Sequence, residues 1–251
     1  MMLALAAVGI ASCDPISEAD RFTESADINP DKKVLVEEFT GQFCPNCPLG
    51  HLALGNIKAL YGKNAVIVSI HAGDQAFDDP DYGLMTPEGN AYANPYGMDA
   101  YPFAVVNRNA GNVMSDRSQW QGAVFNAARM APLADLGLTA HVEENGIVIE
   151  SRLSARFSNL SAYYQLWVTE NGIIALQNNE GEYIADYVHD HVYRASVNGI
   201  GGEAVTLTEQ ETELTHRIGL DGRWNPENLN VVAFIYDSKG VLQAAETNVE
   251  L

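Results

Sequence analysis

The spacing of apolar residues changes once along the chain, near Pro132 to Leu136. Before that point, short apolar runs alternate with stretches of helical period. Val34–Val36, inside KVLVEEFT, suits a buried strand, and Leu49, Leu52, Ile57 and Leu60 recur at roughly helical spacing until Gly62. NAVIVSI, Asn64–Ile70, is β-branched and reads as a second strand. Strand, helix, strand predicts a right-handed βαβ unit. A long segment rich in Gly, Asp, Pro and Tyr follows, His71–Tyr101, with room for one short helix. Thr86 is its N-cap, Pro87 its first residue, and Glu88 lies in its first turn. Phe103–Val106 reads as a third strand, with a turn at Asn109–Gly111 and a short return over Asn112–Met114. Trp120, Val124 and Ala128 then mark a helix that ends before Pro132.

From Leu136 the period is two. Leu136, Leu138, Ala140 and Val142 alternate with other residues, a turn follows at Glu144–Gly146, and Ile147, Ile149, Ser151 and Leu153 resume the alternation. Further strands are expected at Tyr163–Val168, His191–Arg194, Ala204–Leu207, Leu214–Leu220, Val231–Tyr236 and Val241–Ala245, with turns at Asn171-Gly172 and Lys239-Gly240. So many short strands in one half predict a β-sandwich. The expected division is residues 1–13, 14–31, 32–134 and 135–251.

Composition sharpens the ends of this picture. The 251 residues are 47% hydrophobic, enough for a real core, and carry a net charge of −19. That charge repels a phosphate backbone, so nucleic acid is not an expected partner. No apolar run reaches the ~18–20 residues that cross a bilayer. The uncharged start MMLALAAVGIASC reads as a signal peptide ending in a lipobox-like IASC, which frees Cys13 for lipidation, although the basic n-region of the ordinary pattern is missing. Residues 14–31 are polar and acidic and read as a tether.

With Cys13 assigned to a lipid, Cys44 and Cys47 are the only other thiols. Their spacing admits a redox pair, an inert disulfide or part of a metal site. A thiol exchanger needs an exposed attacking sulfur whose thiolate is stabilised, and a helix N-terminus supplies unpaired N–H groups for that. FCPNCP between a strand and a helix meets those demands, with Cys44 as exposed nucleophile, Cys47 as the more buried resolving thiol and Pro45 in the first turn. A structural disulfide closing so short a loop removes little chain entropy, so stability is a poor reason for it. Zinc requires about four ligands.

A strand, a CxxC opening a helix, a βαβ unit and a proline starting the next strand together resemble a thioredoxin fold over Lys33–Met130. That resemblance implies that Pro102 packs beside the CxxC through a cis peptide bond with Tyr101. Phe43 and Asn46 depart from active members, which carry other residues there. More widely, EEFTGQFCPNCP, PEGNAYANPYG, YPFAVVNR, HDHVYRA and NVVAFIYD resemble the twenty-eight-kilodalton outer membrane lipoprotein family of Bacteroidetes. The implied fold is an α/β thioredoxin-like domain followed by an all-β immunoglobulin-like sandwich. The implied location is the outer membrane, on its periplasmic or cell-surface side. The family implies no reaction.

The remaining candidates are weaker. His189 and His191 would share a face of one strand. His51, one turn after Cys47, is placed to tune it, and His71 ends the second strand near the same edge. Asp74, Asp78, Asp79 and Asp81 lack the spacing of an EF-hand loop and read as a solvated acidic loop. Arg108 either binds a carboxylate or pairs with a surface acid. Tyr82, Tyr92, Tyr96 and Tyr101 either pack the long segment onto the domain or line a groove over the CxxC. The expected activity is thiol–disulfide exchange with protein thiols or disulfides and no cofactor. The alternative is a surface-binding or adhesion protein with an inert disulfide.

Overall fold

The computed structural model describes residues 28–97 and 100–251. Cys13, the leader and most of the tether, residues 1–27, lie outside the described residues. The described chain is mostly β, with fourteen strands and three α-helices.

Strand β1 is Val34–Thr40, helix α1 is Cys47–Tyr61, β2 is Ala65–His71, helix α2 is Pro87–Ala93 and β3 is Phe103–Val106. β1 pairs parallel with β2 and antiparallel with β3, and a two-residue β4, Val113–Met114, extends that edge. Helix α3, Trp120–Ala128, completes the first half. Every residue of β1, β2 and β3 is buried, which explains why they read as continuous apolar runs rather than alternating ones.

The second half holds β5 Ala134–Glu143, β6 Gly146–Ala155, β7 Leu160–Glu170, β8 Ile173–Asn179, β9 Glu182–His189 and β10 Val192–Ser196. It continues with β11 Glu203–Leu207, β12 Thr212–Gly219, β13 Leu229–Asp237 and β14 Gly240–Asn248. Strands β12, β6 and β5 form one antiparallel sheet, and β8 and β9 form a separate hairpin. The other strands join the first half. The order β14-β13-β7-β10-β2-β1-β3-β4 is one mixed sheet, with β11 on part of β7. β10 bridges the halves, pairing parallel with β2 at Val192 and Ser69 and antiparallel with β7. The sheet bends back on itself, so that the Val241 amide of β14 donates to the Asn107 carbonyl just after β3 at 2.7 Å.

Three apolar cores follow from this path. Val34, Val36 and Ile67 pack against Leu54 and Ile57 of α1 and Trp120 and Val124 of α3. Ile147, Ile149 and Leu153 of β6 pack against alternate residues of β7 and β13. Between them lies a core that mixes the halves: Leu35, Phe39 and Phe103 with Trp167, Phe234 and Val241. β7 and β13 therefore show one face to each of two cores, because successive side chains point to opposite sides. The change of period near residue 134 is a change in texture, and the packing runs across it.

Candidate functional site

The CxxC sits where β1 gives way to α1, but its register on the helix differs from expectation. The helix begins at Cys47 rather than at Cys44, Asn46 is the N-cap, and Pro48, not Pro45, lies in the first turn. The reason is local: the Cys44 amide turns back to Gly41 at 3.1 Å, and this turn precedes the helix. Gly41 is required there, since a Cβ would run into the backbone of Gln75 and Ala76. Cys44 and Cys47 are joined by a disulfide. The expected exposure of Cys44 is not observed. Its relative exposure is 1% and that of Cys47 is 0%.

The loop that carries Cys44 is capped by the β8–β9 hairpin. Five consecutive loop carbonyls accept hydrogen bonds from it. Gln177 Nε2 donates to Gly41 and Cys44 at 3.3 and 3.0 Å, and the Asn178 amide donates to Gln42 at 2.7 Å. Asn178 Nδ2 donates to Phe43 and the Glu180 amide to Pro45, both at 3.0 Å. Gln42 returns a bond from Nε2 to the Leu176 carbonyl at 3.2 Å. This hairpin was not read from the sequence. Its signal was the Glu180-Gly181 pair, whose φ values of 52° and 99° form the turn.

Pro102, joined to Tyr101 by a cis peptide bond, lies against the first turns of α1, where a Cβ on Gly50 would meet its Cγ at 3.0 Å. The same Cβ would meet Glu38 Oε1 at 2.5 Å. Glu38 is fully buried, accepts a hydrogen bond from Ser69 Oγ at 3.0 Å, and is pushed up by burial to about 8. In the sequence Glu37 and Glu38 stand just upstream of the cysteines. Burial of both, in a strand covered on each face, is a tertiary fact. Glu37 meets Arg108 at 3.1 Å, and the guanidinium lies 4.5 to 5.4 Å from the rings of Phe234, Tyr236, Trp167 and Tyr92. Arg108 is thus a largely buried cation joining the halves, not a surface group.

Four of the six histidines meet beside this site. His51, His71, His189 and His191 line a cavity of about 110 Å³, with Ser69 and Asp190. His189 and His191 do not share a strand face as expected. His189 ends β9, and His191 lies beyond it at φ 58°. Burial lowers His51 to about 3 and His189 to about 4 and holds His71 well below its usual value. The 3.7 Å approach of His51 to Glu38 is therefore between two neutral groups. His51 Nδ1 shares a hydrogen bond with Tyr187 of β9 at 2.7 Å, and its Nε2 lies 3.2 Å from Thr40 Oγ1. Among the described residues, no three His, Cys, Asp or Glu side chains are arranged to hold a metal ion. The acidic loop is held by its own turn, with Asp79 Oδ1 accepting from the Asp81 and Tyr82 amides. Tyr92, Tyr96 and Tyr101 pack into or against the mixed core, while Tyr82 is exposed.

Residues 89–250 match the outer membrane protein Omp28 family. The chain belongs to that family. Its location is accordingly the outer membrane, and no helix among the described residues is long and apolar enough to cross a membrane. Among solved structures, HBP35 of Porphyromonas gingivalis is similar at TM-score 0.69 and 15% identity, over 87% of this chain and 76% of that one. A protein from Agrobacterium tumefaciens is similar at TM-score 0.53 and 16% identity, over 86% of this chain and 93% of that one. A domain of the outer membrane lipoprotein Omp28 from Porphyromonas gingivalis aligns over 48% of this chain and 91% of its own length, at 17% identity and TM-score 0.35. No curated protein matches.

Proposed function

We propose that this Omp28-family chain is a lipid-anchored outer-membrane protein that exchanges disulfides through Cys44 and Cys47. In this reading Cys13 carries the lipid, residues 32–134 are a thioredoxin-like unit, and residues 135–251 are an immunoglobulin-like sandwich fused to it. The observation that carries the reading is the placement of the pair. Cys44–Cys47 lies in the strand-to-helix turn, with Pro102 and the buried carboxyl of Glu38 against the first turns of the same helix.

The exchange is balanced in two steps. The Cys44 thiolate attacks one sulfur of a partner protein's disulfide, forming a mixed disulfide and releasing one partner thiolate. The Cys47 thiolate then attacks Cys44 Sγ, forming Cys44–Cys47 and releasing the second partner thiolate. The partner is reduced by two electrons and this chain is oxidised by two; the reverse sequence oxidises a partner dithiol.

The burial of both sulfurs favours a second reading, a surface-binding protein whose disulfide is inert. The reduction potential separates the two. Equilibration in glutathione buffers with mass readout after alkylation gives about −120 to −270 mV for an exchanger. A value below about −300 mV marks a structural bond and ends the exchange reading. Mass analysis of the mature protein tests the anchor: acyl mass on Cys13 is expected, and retention of residues 1–12 without it removes the lipid.

A further inference from the structure

We infer that the CxxC loop is a docking edge for an extended polypeptide strand, now filled by the chain's own β8–β9 hairpin, which a partner displaces. This rests on the exchange reading and specifies its substrate class, protein rather than small thiol.

The hairpin is built unlike the rest of the molecule. It pairs with neither of the other two sheets. It contributes no residue to any of the three apolar cores. Its buried side chains are Gln177 and His189, and both are polar. Ile174, Tyr183 and Val188 are exposed instead. An element held by hydrogen bonds and little apolar burial opens locally at low cost.

Its two ends are pinned to each other. Gly172 and His191, on either side, have φ of 67° and 58°. They are cross-tied just outside the hairpin: Asp190 Oδ1 accepts from the Gly172 amide at 2.8 Å, and Asn171 Oδ1 accepts from the His191 amide at 2.7 Å. A further tie to the CxxC helix is the single bond between His51 and Tyr187.

The loop it covers has a definite recognition pattern. Carbonyls of five consecutive residues, Gly41–Pro45, all point to donors on one segment, Gln177–Glu180. Two of those donors are backbone amides and two are side-chain carboxamides. An extended chain supplies amides at the right period, and a Gln or Asn supplies the rest. A small thiol such as glutathione is too short to meet five consecutive carbonyls and has no carboxamide side chain. With the hairpin bonded to the loop both cysteines are buried, so on this proposal engagement of a protein strand and access to the disulfide become one event.

The test uses the whole chain with Ile173–Val188 replaced by a short Gly-Ser linker, its fold checked by circular dichroism. The probe is a fluorescent peptide of the sequence IIALQNNE. The peptide is expected to bind this variant at least tenfold more tightly than the parent, where it must displace the hairpin. A peptide with Gln and both Asn replaced by Ala is expected to bind about tenfold more weakly. A folded variant that does not bind the first peptide, or binds the two alike, overturns the proposal. Should the replacement not fold, Gln177→Ala with Asn178→Ala in the full chain serves instead. Hydrogen exchange over residues 173–189 then rises, and reduction of Cys44–Cys47 by dithiothreitol is about tenfold faster. Looser exchange with unchanged reduction overturns the proposal. Peptide binding does not depend on redox chemistry, so a potential in the structural range with binding retained removes the exchange reading alone.

Discussion

At the residue scale the site is a set of ionisable groups kept neutral beside a buried ion pair. Glu38 is raised from 4.5 to about 8 by burial, so its contribution to stability is complete below pH 4.5 and lost as pH rises through 8. His51 and His189 are lowered from 6.5 to about 3 and 4, also by burial, so theirs is complete above pH 6.5 and lost as pH falls through those values. Opposite slopes follow. In denaturant titrations Glu38→Gln is expected to lose less stability than the parent between pH 5 and 8. His189→Gln is expected to lose less between pH 6.5 and 4. Parallel pH profiles for parent and variant would falsify the burial account. Arg108 is different in kind, since its removal leaves Glu37 buried without its cation. Arg108→Ala is expected to cost about 3–5 kcal/mol by chemical denaturation, and a loss below about 1 kcal/mol would show the pair to be hydrated.

At the element scale, caps and turns decide what the periodicity leaves open. Helix α2 starts where its signal says it should, with Thr86 Oγ1 accepting from the Gly89 amide at 3.0 Å. Thr86→Ala is expected to cost about 1 kcal/mol, read from the midpoint of unfolding. Helix α1 starts three residues later than expected, because a Pro in a CxxC marks a turn as readily as a helix's first residue. Strands with alternating or continuous apolar runs were legible: β3, β6, β7, β13 and β14 all fall close to their expected positions. The β8–β9 hairpin was not. Its residues fit neither pattern, since its inward positions are polar and meet a polar loop from the other half. Gly181, at φ 99°, fixes its turn. Gly181→Ala is expected to loosen the hairpin, seen as faster hydrogen exchange over residues 173–189.

At the scale of the whole molecule, the two halves are one mechanical body. β10 carries the sheet from β7 to β2, and Trp167 and Phe234 complete a core begun by Phe39 and Phe103. Unfolding is therefore expected as one calorimetric transition. A chain ending at residue 134 is expected to remain molten, because the mixed core loses every residue that β7, β13 and β14 supply. Two resolved transitions, or a well-folded fragment, would show instead that the halves are independent.

The sequence by itself determined the order and type of most elements, the placing of the cysteine pair between a strand and a helix, and the family resemblance. These are local properties: period, caps and spacing act over a few residues. Only the tertiary structure decided that Cys44 is buried, that Glu38 is buried and Arg108 nearly so, and that histidines as far as 140 positions apart share one cavity. Each depends on contacts between segments distant in the chain. Burial and the neighbour opposite a side chain are set by how sheets pack, and no local pattern carries that information.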